Sequence, residues 1–210
     1  MNFNEKCLRL YAVTDRSWLS GRRLEDVVEE ALRAGVTMVQ LREKEMRSEE
    51  VLSEALLLRD LCHHYQVPLL IDDDVFVCQK ADADGVHIGQ DDMKVKRARE
   101  ILGPDKIIGA TAHNVREALQ AEADGADYLG CGAAFGTKTK KDAKPMDRNT
   151  YRDITSAVHI PVCAIGGISE DNIRELSGLG LDGVAVVSGI FASGDIERSC
   201  RNLLAVIRDL

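Results

Sequence analysis

A glycine-rich segment spanning residues 127–145 holds the side chains of this sequence best suited to binding an anion. It begins as a short apolar strand and continues as a loop with four lysines and two threonines, in a chain whose net charge is -8. The groups that could bind phosphate oxygens are the N–H groups, hydroxyls and ammonium of Gly132, Gly136, Thr137, Thr139 and Lys140. Taken alone, the loop is equally compatible with a solvated lysine-rich turn.

A second polar group lies at the end of the predicted second strand, at Gln40, Arg42 and Lys44. Strand side chains alternate between two faces, so these three share one face while Leu41 and Glu43 take the other. The pattern places two cations at the mouth of the sheet, although a solvated strand end would carry the same charges. Gln40 is harder to explain in that way, because the interior face of a strand normally holds apolar residues.

Carboxylates follow the next two predicted strands: Asp72, Asp73 and Asp74 after the third, and Asp91 and Asp92 after the fourth. Adjacent strands lie about 4.8 Å apart, so these carboxylates can converge. Mg²⁺ commonly takes one or two carboxylates together with water and phosphate oxygens. Aspartates are also ordinary helix N-caps, and Asp74, or Asp91 or Asp92, would serve a following helix equally well.

Glycines stand at the ends of the predicted seventh and eighth strands, in Ala164-Ile-Gly-Gly-Ile168 and Val186-Val-Ser-Gly-Ile190. Accessible N–H groups at these two ends form the usual phosphate site of a (β/α)₈ barrel. A pair of tight turns is the alternative interpretation.

The histidines and cysteines show no metal spacing and no nucleophile signature. His87 alternates inward on the fourth strand and is predicted to be a hydrogen-bonded core residue. His113 lies just before a predicted helix, for which Asn114 and Glu117 resemble an N-cap with a back-reaching acid. The six scattered cysteines are expected to be reduced and to act as small hydrophobes.

Eight apolar runs alternate with helix-period segments and predict a single (β/α)₈ TIM-barrel domain over residues 1–210. The predicted strands are 8–13, 36–41, 68–71, 85–88, 107–110, 127–129, 162–165 and 183–187, and the helical segments include 24–33, 49–62, 115–123, 171–177 and 196–207. Small residues and glycines recur directly before four of the strands, as suits a helix end that turns into a buried strand. An open doubly wound sheet is the alternative, but eight evenly spaced units favour closure.

Composition narrows the function classes. The acidic balance and the 4% aromatic content argue against a nucleic-acid partner. No apolar run approaches the length of a membrane helix and no signal peptide is visible, so a cytoplasmic protein without a membrane partner is expected. The partners expected are small-molecule substrates. A homo-oligomer is compatible with the sequence, which does not define the oligomeric state.

Together these groups predict two anion sites, one of them a cationic cluster of Arg42, Lys44 and Lys140 facing carboxylates suited to Mg²⁺. Two phosphorylated ligands are therefore expected, one of them a diphosphate. Arginine, lysine and magnesium can neutralise the negative charge that grows on a departing diphosphate.

Seven motifs, in order along nearly the whole chain, resemble the thiamine-phosphate synthase family. They are Tyr11-Ala-Val-Thr-Asp15, Gln40-Leu-Arg-Glu-Lys44, Asp72-Asp73, Gly85-Val-His-Ile-Gly-Gln-Asp-Asp92, Thr137-Lys-Thr-Lys-Lys-Asp-Ala143, Ala164-Ile-Gly-Gly-Ile168 and Val186-Val-Ser188. The family is a (β/α)₈ barrel that joins 4-amino-2-methyl-5-pyrimidinylmethyl diphosphate to a thiazole phosphate, which is carboxylated in some organisms. The products are thiamine phosphate and diphosphate, with CO₂ from the carboxylated substrate.

The resemblance implies a role for each matching residue. Mg²⁺ would be held by Asp73 and Asp92, and the pyrimidine diphosphate by Gln40, Arg42, Lys44 and Lys140. The thiazole phosphate would contact Thr137, Thr139, Gly167, Val187 and Ser188. Arg42, Lys44 and Lys140 would be the catalytic cations, assisting ionisation of the diphosphate to a pyrimidine carbocation that the thiazole nitrogen captures.

The sequence departs from the family pattern at a few positions. Asp72 and Thr111 stand at substrate-binding positions where the family usually has Asn and Ser. Ala133 and Gly136 replace prolines of the loop after the sixth strand, and Gly189 replaces an alanine. None of these changes removes a charge that the mechanism needs.

Three other functions are alternatives to the synthase. A thiazole tautomerase of the same fold would lack the paired aspartates and carry a histidine where this chain has Ala133. A non-catalytic sensor of thiamine phosphates would tolerate the loss of metal or diphosphate groups, all of which are present. A phosphosugar epimerase or isomerase would not call for the Thr-Lys-Thr-Lys loop beside a metal pair.

Overall fold

Eight parallel strands close into a barrel in the computed structural model, which describes residues 3–136 and 145–207. Each strand pairs with the next in the sequence, and β8 pairs with β1. The strands are β1 (Leu10–Val13), β2 (Met38–Leu41), β3 (Leu69–Asp72), β4 (Gly85–Ile88), β5 (Ile107–Ala112), β6 (Tyr128–Gly132), β7 (Val162–Ile165) and β8 (Gly183–Val186). The predicted (β/α)₈ barrel is confirmed.

Helices cover the outside of the barrel. They are α1 (Leu24–Arg33), α2 (Ser48–His64), α3 (Val75–Ala81), α4 (Val95–Leu102), α5 (Val115–Ala123), α6 (Arg148–Ala157), α7 (Ser188–Phe191) and α8 (Ile196–Ile207). In α1 the buried residues Val28, Ala31 and Leu32 recur at helical spacing and form the stripe that packs on the barrel. No helix in the described part of the chain is long and apolar enough to cross a membrane.

Several predicted boundaries were wrong. The start of the first predicted strand is a 3-10 helix, Glu5–Leu8, and the predicted helix 171–177 is a 3-10 turn, Ile173–Leu176. β5 and β6 extend beyond their predicted ends to Ala112 and Gly132, because pairing between neighbouring strands continues past the apolar run. The sequence did not predict α6, whose only buried residues are Tyr151 and Ile154.

Four side chains directly before the even-numbered strands tie the amino-terminal end of the barrel together. Each accepts a hydrogen bond from a backbone N–H near the start of the preceding strand: Thr37 from Leu10 (2.9 Å), Asp84 from Leu69 (2.9 Å), Asp127 from Ile108 (2.7 Å) and Asp182 from Val162 (2.8 Å). The backbone N–H of each of the four donates to the carbonyl of the same partner. The recurring sequence pattern before these strands thus marks a repeated clamp that sets strand register.

The barrel interior is filled by a few large side chains. Tyr11 and Tyr128 are buried there with edge-to-face rings whose centroids lie 6.0 Å apart. Cys163 packs in the same interior cluster. All six cysteines are free thiols, and five of them are buried, as expected for small apolar side chains.

Candidate active site

A cavity of about 810 Å³ opens at the carboxyl ends of the strands. Ten residues predicted for the site lie on its wall: Gln40, Arg42, Lys44, Asp72, Asp73, Asp92, Thr111, Gly167, Val187 and Ser188. The other three, Thr137, Thr139 and Lys140, lie outside the described residues. The fold therefore brings together every predicted site residue whose position the structure describes.

The end of β2 presents polar side chains as the alternation predicts. Gln40 is buried, with 3% of its surface exposed, and both Arg42 and Lys44 reach the cavity. Leu41 packs instead in the layer between strands and helices, and Glu43 pairs with Arg16 at 2.9 Å. The backbone N–H of Arg42 donates to the Thr14 hydroxyl at 2.9 Å, which fixes the chain where β2 ends.

Lys44 lies between two carboxylates. Its ammonium is 2.7 Å from Asp72 and also pairs with Asp73, while the Arg42 guanidinium lies 4.0 Å from Asp72. Burial opposes the charge on Lys44, but hydrogen bonds and charges from the two aspartates outweigh it and raise its pKa. Burial and the neighbouring Asp73 charge raise the pKa of Asp72, with Lys44 acting against them.

Asp73 and Asp92 approach each other beside Gly89. A Cβ at Gly89 would lie 2.6 Å from Oδ2 of Asp92 and 4.0 Å from Oδ1 of Asp73, so the glycine leaves open the space between them. Burial and the hydrogen bond to Asp73 raise the pKa of Asp92. Burial also opposes ionisation of Asp73, but the hydrogen bond and charge of Lys44 outweigh burial and lower the pKa of Asp73. Two carboxylates on one open space form an oxygen donor pair that fits a hard cation.

The N-cap alternative holds for one of the aspartates. Asp74 caps α3 by accepting hydrogen bonds from Phe76 and Val77. The same alternative is wrong for Asp91 and Asp92, since α4 is preceded by Lys94 without a side-chain cap. Asp92 accepts instead from the N–H of Gly89 at 3.1 Å, which holds its carboxylate at the cavity.

The helix start predicted at Val115 is confirmed. The Asn114 side chain accepts from the N–H of Glu117 at 3.0 Å, while Glu117 bonds back to the N–H of His113.

The glycines after β7 and β8 allow close packing of three loops. Gly166 and Gly167 have φ angles of 101° and 68°. A Cβ at Gly167 would lie 2.5 Å from the Gly136 carbonyl oxygen, and one at Gly189 would lie 2.4 Å from that of Ile168. The tight-turn interpretation thus accounts for these glycines, and the same turns leave Gly167, Val187 and Ser188 facing the cavity.

His87 is the hydrogen-bonded core residue that the sequence predicts, and it also reaches the floor of the cavity. Its Nδ1 lies 3.0 Å from the Tyr128 hydroxyl and its Nε2 lies 3.0 Å from the Thr111 hydroxyl. Burial lowers the pKa of His87 to about 4, so the imidazole is neutral at pH 7.

Sequence reasoning missed one wall of the cavity. Met146, Asp147 and Thr150 line it, at the start of α6 and just before it. The N–H of Met146 donates to the carbonyl of Ala133 at 2.7 Å and brings this segment back over the barrel. No local pattern in the sequence marks such a return. Asp147 is a local signal of the helix start, because its side chain caps α6 by accepting a hydrogen bond from the N–H of Asn149.

The closed barrel and the polar groups at its carboxyl end define a (β/α)₈ protein with its functional site at the strand ends. Residues 10–190 match the family model described as thiamine monophosphate synthase. The thiamine-phosphate synthase of Clostridium acetobutylicum is 45% identical over 200 residues, covering 95% of each chain, and that of Chloroflexus aurantiacus is 47% identical over 200 residues, covering 95% of this chain and 92% of the relative. A solved thiamine phosphate pyrophosphorylase from Pyrococcus furiosus superimposes with a TM-score of 0.89 at 39% identity, covering 97% of each chain.

The chain belongs to the thiamine monophosphate synthase family, and it is an enzyme of the transferase class.

Proposed function

We propose that the chain joins 4-amino-2-methyl-5-pyrimidinylmethyl diphosphate to a thiazole phosphate and releases thiamine phosphate and diphosphate. The observation that carries this proposal is the division of one cavity into a charged end and an uncharged, glycine-bearing end. Arg42 and Lys44 lie with the Asp73–Asp92 pair at the β2–β4 side, and Gly167 and Ser188 lie at the β7–β8 side. A cavity of about 810 Å³ is within the range that holds one or two small ligands.

The diphosphate is proposed to bind at the β2–β4 end, where the cations lie. Arg42 can bind phosphate oxygens through its planar fork, and Lys44 adds a compact charge beside it. Asp72 and Asp73 now pair with Lys44, so an arriving diphosphate would compete with these carboxylates for the ammonium. Lys140, which the family resemblance assigns to the same substrate, would add a third cation.

Asp73 and Asp92 fit a Mg²⁺ ion, because Gly89 leaves room between their carboxylates. When bound, Mg²⁺ would neutralise diphosphate charge as a Lewis acid. The described residues contain no cluster of three or more His, Cys, Asp or Glu side chains able to hold a metal on their own. The two aspartates would therefore hold the ion together with diphosphate oxygens, which ties metal binding to substrate binding.

The reaction breaks the C–O bond between the pyrimidinylmethyl carbon and the diphosphate, which leaves with the bonding electron pair. The thiazole nitrogen then donates its lone pair to that carbon, and the new C–N bond gives thiamine phosphate. With the carboxylated substrate, CO₂ leaves and its bonding electrons restore the aromatic ring. The protein holds both substrates in line, places Arg42 and Lys44 against the growing negative charge, and excludes water from the cation.

A thiazole tautomerase is disfavoured by the surroundings of Ala133. A Cβ at Gly166 would lie 2.7 Å from the Cβ of Ala133, and Ala133 is only 7% exposed, so little room is left at this position for a larger side chain. The position supplies no proton-transferring group to the cavity, whereas the aspartate pair and both β2 cations are retained.

The test is formation of thiamine phosphate from the two substrates, with Mg²⁺ or with excess chelator. Metal-dependent product is expected. Asp92→Asn should raise the Mg²⁺ concentration needed for half-maximal rate by about tenfold or more, because half of the carboxylate pair loses its charge. The matched control is Asp91→Asn, an exposed neighbour that does not line the cavity. Equal Mg²⁺ requirements in the two variants would remove Asp92 from the metal site, and no product from folded parent protein would refute the proposed reaction.

A further inference from the structure

A continuous chain of buried hydrogen bonds crosses the barrel beneath the cavity. The Gln40 amide nitrogen lies 2.5 Å from the Tyr11 hydroxyl, which lies 3.0 Å from the Tyr128 hydroxyl. Tyr128 in turn lies 3.0 Å from Nδ1 of His87, whose Nε2 lies 3.0 Å from the Thr111 hydroxyl. This hydrogen-bond chain connects β2, β1, β6, β4 and β5, and both of its ends, Gln40 and Thr111, lie on the cavity wall.

The amide at one end of this hydrogen-bond chain favours one direction for all of its bonds. An amide nitrogen only donates, so the Tyr11 hydroxyl accepts from Gln40 and has its own proton to donate to Tyr128. Tyr128 then donates to Nδ1 of His87. A neutral imidazole that accepts at Nδ1 carries its proton on Nε2 and donates to Thr111. The Thr111 hydroxyl, having accepted, is left to donate into the cavity.

The interior is shaped to hold this chain. A Cβ at Gly109 would lie 2.1 Å from the ring of Tyr128, and one at Gly130 would lie 2.9 Å from Cε1 of His87. Tyr11 and Tyr128 are 1% and 0% exposed. Buried hydroxyls without partners are costly, so each member keeps its neighbours in place.

We propose that Tyr11, Tyr128 and His87 are positioning residues that fix the polarity of the cavity wall. They turn the Gln40 carbonyl oxygen toward the ligand as an acceptor and the Thr111 hydroxyl toward it as a donor. This inference rests on the proposed function and deepens it: the wall selects an aminopyrimidine, which offers an amine donor and a ring-nitrogen acceptor, over an oxo-pyrimidine with the opposite pattern.

The direction of the hydrogen bonds is tested in the ligand-free protein, where the result does not depend on any reaction. NMR of ¹⁵N-histidine-labelled protein identifies the protonated ring nitrogen, with the His87 signals assigned from their loss in His87→Gln. Protonation of Nε2 and an unprotonated Nδ1 are expected. Tyr128→Phe removes the proton that this hydrogen-bond chain donates to Nδ1 and should give a mixture of tautomers. A parent protein protonated at Nδ1 would overturn the proposal.

The selectivity is tested by calorimetric binding of 4-amino-5-hydroxymethyl-2-methylpyrimidine and of its 4-oxo analogue. The parent should bind the amine at least about tenfold more tightly, which is the effect of one hydrogen bond made against one left unmade. Tyr11→Phe releases Gln40 and should reduce that ratio to about threefold or less. An unchanged ratio in Tyr11→Phe would overturn the positioning role.

Tyr151→Phe is the matched control, because its hydroxyl is also buried and donates to the Cys131 carbonyl at 3.0 Å outside the chain. It should lose comparable stability and keep both the tautomer and the selectivity of the parent. In turnover, Tyr11→Phe should raise KM for the pyrimidine diphosphate by about tenfold and leave KM for the thiazole phosphate within about twofold. A general loss of folding would instead lower kcat and leave both KM values unchanged. If the parent forms no product, the proposed reaction fails while the tautomer and binding results still decide the polarity.

Discussion

Acid should destabilise the folded protein through His87, and the size of the effect follows from its burial. Burial lowers its pKa from 6.5 to about 4, so the unfolded chain binds a proton in a pH range where the folded protein does not. The stability that depends on a neutral His87 is therefore complete above pH 6.5 and is lost as the pH falls toward 4. A difference of about 2.5 pKa units corresponds to about 3 kcal/mol at the acid limit.

The measurement is the free energy of unfolding in urea at about pH 7.5 and about pH 4.5, for the parent and for His87→Gln. Integration of the linkage relation over this interval gives a loss of about 2.5 kcal/mol from His87 alone. Carboxylates also titrate in this pH range. Those whose pKa is raised by folding, such as Asp72 and Glu43, increase the free energy of unfolding of the protein as the pH falls. Subtracting the change in His87→Gln from the change in the parent removes these shared contributions.

The parent should thus lose about 2.5 kcal/mol more than the variant over the interval. His87→Gln is expected to be less stable than the parent at neutral pH, since glutamine cannot reach both Tyr128 and Thr111 in the same way. Equal pH dependence in the two proteins would refute the reasoning, because it would mean that the folded protein protonates His87 as readily as the unfolded chain does.

Three further perturbations test the barrel and the site. Gly109→Ala should destabilise by about 3 kcal/mol or more, since its Cβ would lie 2.1 Å from the Tyr128 ring, and Gly194→Ala at an open position is the control for an added side chain, with thermal unfolding as the measurement. Asp84→Ala should lower the free energy of unfolding in urea by about 3 kcal/mol, because the buried N–H of Leu69 and the ring of His63 lose their acceptor. The control, Asp105→Ala, replaces an exposed aspartate and should cost little. Similar losses in the two variants would argue against the clamp at the amino-terminal end of the barrel. Lys140→Ala should lower turnover by about 10²-fold or more with unchanged thermal stability, and unchanged turnover would remove Lys140 from the mechanism.

Much of the fold was visible in local patterns. Five elements, the strands Gly85–Ile88 and Val162–Ile165 and the helices Leu24–Arg33, Val115–Ala123 and Ile196–Ile207, have their predicted bounds. In the helices the apolar residues recur at the spacing of the buried stripe, and in the two strands a short apolar run matches a strand that is buried on both faces. The strand ends predicted too early, at β5 and β6, lie where glycine, threonine and alanine interrupt the apolar run and only pairing with neighbouring strands continues the structure.

The candidate site divides in the same way. Alternation along β2 was enough to place Gln40, Arg42 and Lys44 on one face, because a strand's period is a property of its own backbone. The wall formed by Met146 and Thr150 was not predicted, because it depends on a segment that returns over the barrel through one backbone hydrogen bond at Ala133.

The sequence by itself determined the number of strands, the side chains available at their carboxyl ends and the family to which the chain belongs. Only the tertiary structure decided which of those side chains meet. Asp73 and Asp92 share the space beside Gly89, and Tyr11, Tyr128 and His87 join Gln40 to Thr111 across the barrel. These contacts join residues 19 to 117 positions apart, as between Tyr11 and Tyr128. The period of a strand determines only the direction in which a side chain points. Which residue that side chain meets depends on how the other strands pack, so barrel closure brings such residues within hydrogen-bond distance.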